Sequence, residues 1–398
     1  MSRSDQHPPV LVINAGSSSL KVTLLPQNLS FSAERIGGGS VLTSSFAAPL
    51  KEELTNHQEA LGAGLSLLGE RVELSEIRLV GHRVVHGGQV YTGATRVTPE
   101  VMETVAALSI LAPLHNRPNL VGIRAAQALL PGAEHVAVFD TAFHSTLPPQ
   151  AYLYGLPRRY EEEGVRVYGF HGTSHDYVTR RAAEHLERPR AELRLVSFHL
   201  GNGASAAAVC LGRSVDTSMG FTPLEGLLMG TRAGELDPGV VLHLLREGMP
   251  VTELDDLLNR RSGLLGLSGV SNDMRDVRRA AEAGSEAAQQ ALDVFCYRIR
   301  KLVGAYAAAM NGLDAIIFTA GIGENDAAIR AQSLANLSFF GVAIDDAKNA
   351  ENALEISAPT SRVRVLVIPT DENGMIARAS LEAVGLAGDA ASPSSPTT

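Results

Sequence analysis

Two stretches of the sequence share one plan, an apolar run that breaks at a small Gly-containing turn and then resumes. The first runs from Val10 through Asn14-Ala15-Gly16-Ser17-Ser18-Ser19 to Leu25, and the second runs from Leu193 through Gly201-Asn202-Gly203-Ala204-Ser205 to Leu211. Apolar residues on both sides of a short turn predict a β-hairpin. Because the two units lie nearly half the chain apart, they indicate a duplicated domain in which each half offers one loop to a shared cleft.

The first turn also carries the groups that a phosphate site needs. Gly16 lets a ligand approach the backbone, and the turn adds hydroxyl groups, the carboxamide of Asn14 and, two residues past it, the amine of Lys21. An ordinary hairpin turn has a similar composition. The turn by itself therefore leaves both interpretations open.

Length and charge limit the possible classes of function. A chain of 398 residues favours two domains. The hydrophobic fraction of 45% and the charged fraction of 19% are typical of a globular protein. A net charge of −9 argues against binding to nucleic acid or to an anionic membrane by bulk electrostatics, but it leaves room for a locally basic site that binds an anionic substrate.

The cysteines and the chain ends predict a cytoplasmic protein. Cys210 and Cys296 lie in apolar surroundings without metal-ligand spacing, so a reducing compartment is expected. The first residues lack the apolar core of a signal peptide, and no apolar run is long enough to span a membrane. Residues 388–398 are rich in Ser, Pro and Thr, which predicts a disordered tail.

Short apolar runs alternate with helical patterns along the chain, which indicates an α/β architecture. Helix starts are expected after Thr98 and Asp237, each of which is followed by proline. A long helix is expected from Ser285 to about Asn311. Its broad apolar face suits either a core position or a dimer interface.

The nucleotide motifs are atypical. None of the four lysines follows a glycine, so a Walker A loop is absent. The segment Gly201–Ala206 fits a dinucleotide fingerprint in spacing, but a strand-like sequence follows where a helix is required. A third glycine-rich segment, Thr319–Asn325, follows the apolar run at 314–318 and is predicted to be a strand-to-helix turn that a phosphate or flat ligand could approach.

Histidines and arginines stand beside several of these glycines. His171 and His175 have the spacing of a zinc pair on a helix, but the usual glutamate is missing, so structural histidines are the alternative. Arg83 and Arg232 both lie near glycines, and Asp140 ends an apolar run. Polar residues at the carboxyl ends of strands commonly line the ligand crevice of an α/β sheet, so this combination favours anion chemistry.

At this point the chain resembles the acetate kinase family. The resemblance rests on LVINAGSSSLK, GHRVVHGG, LAPLHN, VFDTAFH, YGFHGTSH, HLGNGAS, TPLEGLLMGTR, AGIGEN and VIPTDE, which occur in family order and cover nearly the whole chain. The resemblance implies a cytoplasmic homodimer that transfers the γ-phosphoryl group of ATP to acetate, reversibly, giving acetyl phosphate and ADP. It also implies Mg²⁺ as the cofactor, with Mn²⁺ as a possible substitute, and no nucleic-acid or membrane partner.

The resemblance further implies the fold and its division. Two actin-like ATPase domains, each with a βββαβαβα core, are expected around a central cleft. Residues 1–145 would form the N-terminal domain, completed by residues 374–390. Residues 146–373 would form the C-terminal domain with the nucleotide site and the dimer interface.

Roles for individual residues follow from the same resemblance. Asn14 and Glu372 would serve the metal, and Asp140, Arg83, Arg232 and His171 would be the catalytic residues. The phosphate and nucleotide groups would contact Ser17, Ser19, Lys21, His199, Leu200, Gly201, Asn202, Gly203, Asp273, Met274, Arg275, Gly321, Ile322, Gly323, Glu324 and Asn325. The acetate pocket would be formed by Arg83, Val85, Leu114, His115, Phe170 and Pro223.

The implied chemistry is physically consistent with these residues. A carboxylate nucleophile is already ionised at neutral pH, so no general base is needed, and Asp140 is expected to orient an arginine or metal-bound water. The sequence departs from the family pattern at Gln89, at Met274 and in the segment Asp371-Glu372-Asn373-Gly374. Alternatives are a propionate or butyrate kinase, an ATPase that works as a conformational switch, and a zinc hydrolase.

Overall fold

Two mixed β-sheets form the framework of the protein. The computed structural model describes residues 8–110, 112 and 115–386, so the predicted tail at 388–398 lies outside the described residues. The strands are β1 (Val10–Ala15), β2 (Ser19–Leu25), β3 (Leu29–Glu34), β4 (Val41–Ser44), β5 (Leu50–Lys51), β6 (Leu79–Val84), β7 (Thr95–Arg96), β8 (Glu134–Phe139), β9 (Arg194–Leu200), β10 (Ala204–Cys210), β11 (Arg213–Thr217), β12 (Ala315–Thr319) and β13 (Arg364–Val367).

Helices of very different length connect these strands. They are α1 (His57–Gly69), α2 (Pro99–Ala107), α3 (Asn116–Leu129), α4 (Pro149–Tyr152), α5 (Arg158–Glu162), α6 (Gly172–His185), α7 (Pro238–Arg246), α8 (Val251–Arg260), α9 (Gly263–Ser268), α10 (Met274–Glu282), α11 (Glu286–Met310), α12 (Ala320–Asn325), α13 (Ala327–Leu334), α14 (Asp346–Ala350) and α15 (Glu372–Val384). Short 3₁₀ turns lie at Leu74–Glu76, Leu108–Ile110, Ala142–Thr146, Arg190–Glu192 and Ser338–Phe340. None of the helices in the described part of the chain is both long and apolar enough to cross a lipid bilayer.

The chain divides into two compact units. Unit 1 contains the residues up to Ala142 together with those from Asp371 onward, and unit 2 contains Phe143–Thr370. Both crossings between the units fall slightly before the bounds at 145 and 373 that the family resemblance implies.

The sheet of unit 1 has the strand order β5-β4-β3-β2-β1-β6-β8-β7. Strands β1, β2 and β3 are antiparallel neighbours, whereas β6 runs parallel to β1 and to β8. Side chains alternate across this sheet, so Leu11 and Ile13 pack with helices α1 and α3, and Val10 and Val12 pack with α15. Gly81 permits the close approach of α15, because a Cβ atom there would lie 2.6 Å from Oγ of Ser380.

The sheet of unit 2 repeats the central order of the first sheet. Its order is β11-β10-β9-β12-β13, with β9, β10 and β11 antiparallel and β12 parallel to β9 and β13. In unit 1 the corresponding strands are β3-β2-β1-β6-β8. The expected duplication is therefore present, and the two hairpins with small turns are the first two strands of each copy.

Two helices, α6 and α15, do not pack with the sheet that precedes them in the chain. Helix α6 follows β8, the last parallel strand of unit 1, and its Val178 and Ala182 lie in a core cluster of unit 2. Helix α15 follows β13 of unit 2, and its Ile376 and Leu381 lie in a core cluster of unit 1. This exchange explains why the C-terminal residues complete the N-terminal unit.

Most local predictions are confirmed. Thr98, Asp237 and Ser285 each accept a hydrogen bond from a backbone N–H in the first turn of the helix that follows, which is how an N-cap residue acts. The apolar face of α11 is buried inside unit 2, which favours the core interpretation. The prediction of a strand-to-helix turn over 319–325 is wrong in its extent, because residues 320–325 already form the short helix α12.

Candidate active site

Three neighbouring parallel strands of unit 1 end in polar residues. Asn14 lies at the end of β1, Arg83 lies near the end of β6, and Asp140 directly follows β8. The registers pair Ile13 with His82, so Asn14 and Arg83 are the next residues on adjacent strands. Because the carboxyl ends of parallel strands meet at one edge of a sheet, this edge is the natural ligand-binding side of unit 1.

Arg83 is held firmly by two carboxylates. Its Nε lies 2.9 Å from Oδ1 of Asp140, and its Nη2 lies 2.8 Å from Oδ2, which is a bidentate pair. Its Nη1 lies 3.7 Å from Oε2 of Glu372. Burial favours the neutral guanidine, but the charges of Asp140 and Glu372 outweigh burial and raise the pKa of Arg83 above its usual value.

The first hairpin turn is anchored by hydrogen bonds from its own backbone and from α1. The N–H of Gly16 donates to the carbonyl of Ser19 over 2.8 Å, and Nε2 of His57 donates to the carbonyl of Gly16 over 2.7 Å. This hairpin carries three of the predicted phosphate ligands: Ser17 lies in the turn, and Ser19 and Lys21 lie on β2. Lys21 stands directly opposite Asn14 across the hairpin.

Two buried asparagines of α3 connect the strand ends, and they were missed as functional residues. The side chain of Asn119 accepts from the N–H of Val85 over 3.1 Å and donates to the carbonyl of Ala15 over 2.9 Å. Asn116 accepts from the N–H of His86 and donates to its carbonyl. The signal was available in the motif LHNRPN, where two amides occur in the first turn of a helix.

Glu372 opens helix α15. The preceding residue, Asp371, caps this helix by accepting from the N–H of Gly374 over 2.8 Å. The side chain of Asn373 donates to Oγ1 of Thr23 on β2 over 3.2 Å. Asn373, one of the departures from the family pattern, therefore helps to fix the start of α15 on unit 1, next to Glu372.

In unit 2 the histidines form a connected group. The rings of His171 and His199 stack with their centroids 4.2 Å apart. Nδ1 of His199 lies 2.8 Å from Oγ of Ser174, on the first turn of α6. Both ring nitrogens of His175 contact serine hydroxyls, those of Ser197 and Ser205, so His175 is a buried structural residue.

Arg232 approaches this group from a loop with several glycines. A Cβ atom at Gly203 would lie 3.5 Å from Nε2 of His171 and 3.6 Å from Nη2 of Arg232. The backbone at Gly203 therefore lies beside both side chains, and the absence of a Cβ leaves the space next to them unfilled. Nη1 of Arg232 donates to the carbonyl of Pro223 over 2.8 Å.

Unlike Arg83, Arg232 forms no ion pair with any acid among residues 8–110, 112 and 115–386. Burial lowers the pKa of its guanidinium from the usual value, since no nearby carboxylate compensates for lost hydration. A partly buried cation of this kind is suited to bind an anion that the protein does not itself supply.

A cleft of about 550 Å³ in unit 2 brings together half of the residues predicted to contact phosphate or nucleotide. It is lined by Gly201, Asn202, Asn272, Asp273, Met274, Arg275, Gly321, Ile322, Asn325 and Asp326. Three separate segments of the chain thus contribute to one concave surface, as expected of a ligand site. His199 and Leu200 end β9, directly before the first of these segments.

The walls of this cleft are fixed by specific contacts. Nη2 of Arg278 on α10 lies 2.6 Å from both carboxylate oxygens of Asp326, which also caps α13. Oε1 of Glu324 accepts from the N–H of Ala320 over 2.7 Å and from the N–H of Thr370 over 3.2 Å. The Glu324 carboxylate therefore bonds the backbone around it, and Gly323 packs on the end of β12.

The departure at Met274 lies on the cleft wall. Met274 is buried at the start of α10, after the N-cap residue Asp273. The hydrogen bond from the exposed side chain of Arg275 lowers the pKa of Asp273 to about 2. Methionine is flexible and polarisable, so it fits a flat ligand less rigidly than an aromatic ring would.

The residues predicted for the acetate pocket divide between the two units. Val85 and His115 belong to unit 1, Phe170 and Pro223 belong to unit 2, and Leu114 lies outside the described residues. Val85 and Phe170 are buried. Phe170 directly precedes His171, which has a left-handed backbone with φ of 56°.

A model of the acetokinase family matches residues 9–378. The chain belongs to the acetokinase family. This membership confirms the resemblance that the motifs indicated. The chain is 49% identical to the acetate kinase of Carboxydothermus hydrogenoformans, with 94% of this chain and 99% of the relative covered. It is 50% identical to an acetate kinase of Desulfitobacterium hafniense with the same coverage.

Solved structures of acetokinase family members have the same fold. The crystal structure of Porphyromonas gingivalis acetate kinase matches with a TM-score of 0.89 at 42% identity, covering 94% of this chain and 99% of that one. A propionate kinase from Francisella tularensis matches with a TM-score of 0.89 at 38% identity and the same coverage. The predicted two-domain α/β fold is confirmed, whereas the fold alone does not separate acetate from propionate as the substrate.

Proposed function

We propose that this acetokinase family member transfers the γ-phosphoryl group of ATP to acetate, reversibly, giving acetyl phosphate and ADP. The acetate carboxylate is ionised at neutral pH and attacks phosphorus directly. The energetic obstacle is repulsion between this anion and the anionic triphosphate. Catalysis then depends on fixed positive charge and hydrogen-bond donors around the transferred group.

The observation that carries the proposal is Arg232. It is a partly buried guanidinium without an ion-pair partner in the described residues, and Gly203, which has no side chain, lies beside both Arg232 and His171. We assign to Arg232 the stabilisation of the transferred phosphoryl group. His171 supplies a further donor to the same group.

Arg83 is assigned to the substrate carboxylate, with Asp140 as the residue that orients it. The carboxylate of Asp140 accepts hydrogen bonds from Nε and Nη2 of Arg83, which fixes the plane of the guanidinium. Both carboxylate oxygens of Asp140 accept hydrogen bonds from Arg83, which suits a residue that orients the arginine. Asp140 contributes to the reaction by holding Arg83 in one orientation.

The nucleotide is assigned to the cleft of unit 2 between α10 and α12. Glycines 201 and 321 allow close approach of the ligand to the backbone, and Met274 offers an apolar surface to the base. Ser17, Ser19 and Lys21 of unit 1 are assigned to the phosphate groups.

The chemistry of Asn14 and Glu372 fits Mg²⁺. Carboxylate and carboxamide oxygens are the ligands that this hard cation prefers, and Mn²⁺ accepts the same set. Glu372 stands at the beginning of α15, where the cap Asp371 and the Asn373 contact with Thr23 fix the backbone. When bound, the metal would neutralise charge on the phosphate oxygens.

Acetate is the proposed acceptor, and propionate is the second candidate. The structural likeness to a propionate kinase keeps the second candidate open. One extra methylene in an apolar pocket changes discrimination by about 1–3 kcal/mol, so the preference is graded. The resemblance assigns Val85, which is buried, to the acetate pocket, and a valine there would leave less room for a longer acid than a smaller residue would, which favours acetate.

We also propose a homodimer that works in the cytoplasm. Helix α7 has no buried residue within the single chain, and its Val240 and Leu242 are 41% and 50% exposed. An apolar helix face of this kind fits a second copy of the chain. Cys210 and Cys296 are both free, which suits a reducing compartment. Light scattering of the purified protein, with Leu242→Glu as the comparison, tests the dimer.

The decisive experiment is a hydroxamate assay, in which hydroxylamine traps the acyl phosphate formed from ATP and a short carboxylic acid. Acetate should give the highest kcat/KM among acetate, propionate and butyrate, and a clear propionate preference would overturn the substrate choice.

Arg232→Ala should lower kcat about 10²–10³-fold, since a charged transition-state contact is lost. Arg213→Ala, at an exposed position of β11, is the matched control and should retain activity. Near-normal turnover of Arg232→Ala would refute the assigned role.

A further inference from the structure

The loop that carries Arg232 is fastened to the long helix of unit 2. We define the Arg232 loop as residues 229–235. Arg298, in the middle of α11, donates from Nη1 to the carbonyl of Ala233 over 2.9 Å and from Nη2 to the carbonyl of Glu235 over 3.0 Å. One guanidinium therefore bridges the two carbonyls on either side of Gly234.

The bridged segment is irregular and directly follows Arg232. Gly234 has a φ of +70°, and a Cβ atom there would lie 2.3 Å from the carbonyl oxygen of Leu227. Backbone hydrogen bonds tie the loop to other segments, such as Gly230 to Asn202 and Ala233 to Leu258. Arg298 adds a side-chain contact from a rigid helix at the carboxyl end of the loop.

Arg298 suits this task because of its shape and environment. The planar guanidinium presents paired N–H groups in fixed directions, whereas the three N–H donors of a lysine ammonium rotate about one point and fix no direction. Burial lowers the pKa of Arg298, and the nearby charge of Glu235 acts in the opposite direction. The guanidinium of Arg298 is therefore partly removed from water where it contacts the Arg232 loop.

We propose that Arg298 is a positioning residue for phosphoryl transfer, acting through Arg232. This inference rests on the proposed role of Arg232 in the reaction. By fixing the carbonyls of residues 233 and 235, Arg298 holds the backbone next to Arg232 and thus restricts where its guanidinium can lie. Small displacements of a positioned group are costly in catalysis, so the loss of Arg298 should reduce turnover more than binding.

The test compares Arg298→Ala and Arg298→Lys with a matched control on the same helix. The control is Arg300→Ala, because Arg300 likewise donates to two backbone carbonyls, those of Gln332 and Ser333, at the end of α13 and away from the Arg232 loop. We expect Arg298→Ala to lower kcat about 10- to 100-fold, with the KM values for ATP and acetate within about twofold of the parent. Arg298→Lys should recover part of the loss, and Arg300→Ala should retain kcat.

A second arm places Arg298→Ala in the Arg232→Ala background. If Arg298 acts through Arg232, the second substitution should cause no further fall in kcat, since residues that act as a unit are not additive. Equal fractional losses in both backgrounds would overturn the inference, and so would unchanged kcat in Arg298→Ala. If Arg298→Ala does not fold, as judged by its melting curve, Arg298→Lys decides in its place, with parental kcat as the contradicting result. Normal turnover of Arg232→Ala would instead refute the proposed role of Arg232. The kcat of Arg232→Ala is therefore measured first, before the Arg298 variants are compared.

Discussion

The ion pair between Arg83 and Asp140 makes a quantitative prediction about stability. Asp140 is almost fully buried, with its side chain 2% exposed, and Arg83 is 15% exposed. The substitution Asp140→Asn keeps the size of the side chain but removes its charge and turns one acceptor into a donor that faces the guanidinium. Removing one partner of a buried pair costs about 3–5 kcal/mol. Because asparagine keeps one acceptor, we expect the lower end, about 3 kcal/mol.

The same strand provides the matched control. Glu134, at the opposite end of β8, pairs with Arg96 over 2.9 Å, but both side chains are more than half exposed, at 55% and 56%. Exposed pairs contribute about 0–1 kcal/mol, so Glu134→Gln should change stability little. The two substitutions remove the same charge from pairs of similar length, and they differ chiefly in burial.

Thermal unfolding followed by calorimetry measures the difference. For a domain of this size, 1 kcal/mol corresponds to about 2–4 °C, so Asp140→Asn should lower the Tm of unit 1 by roughly 6–12 °C. Glu134→Gln should lower it by no more than about 4 °C. The hydroxamate assay should show that Asp140→Asn also loses turnover, since Arg83 is no longer held in one orientation. Equal Tm values for the two variants would refute the reasoning that burial decides the strength of the pair.

Two further predictions concern unit 2. Arg278→Ala should raise the KM for ATP several-fold and leave the KM for acetate unchanged, because Arg278 and Asp326 join two walls of the nucleotide cleft; equal changes in both constants would contradict the assignment. Burial lowers the pKa of His144 to about 4, so the native state binds fewer protons than the unfolded state between pH 4 and its usual pKa of 6.5. The resulting stability is complete above pH 6.5 and is lost as the pH falls toward 4, by up to roughly 3 kcal/mol. Denaturant unfolding at pH 7 and pH 5 should show this loss, and His144→Gln should reduce it; an identical pH dependence in the variant would contradict the account.

Features that depend on neighbours in sequence could be predicted well. The caps at Thr98 and Ser285 follow from local hydrogen bonding, and the hairpin turns follow from composition between apolar runs. The duplication was visible because both copies begin with such a hairpin. The segment 319–325 was misjudged because it contains two glycines, although the residue with the left-handed backbone is Ala320, with φ of 63°, and the Glu324 carboxylate holds the helix from within.

Contacts between distant segments could not be predicted from patterns. The bidentate bond between Arg83 and Asp140 requires that β6 and β8 be neighbours, which only the folded sheet establishes. The packing of α15 on unit 1 depends on a helix that leaves its own sheet. Arg298 looks like any polar residue of an amphipathic helix, and its carbonyl partners at 233 and 235 lie far away in the sequence. The sequence therefore supplied candidate residues through motifs, whereas their supporting contacts came from the structure.

The central claim is direct transfer of the phosphoryl group from ATP to the acetate carboxylate. The most direct measurement uses ATP made chiral at the γ-phosphorus with three oxygen isotopes, and determines the configuration of the acetyl phosphate product. A single in-line displacement inverts the configuration at phosphorus, and the account predicts inversion. Net retention would require two displacements through a phosphorylated residue of the protein, and this result would contradict the account.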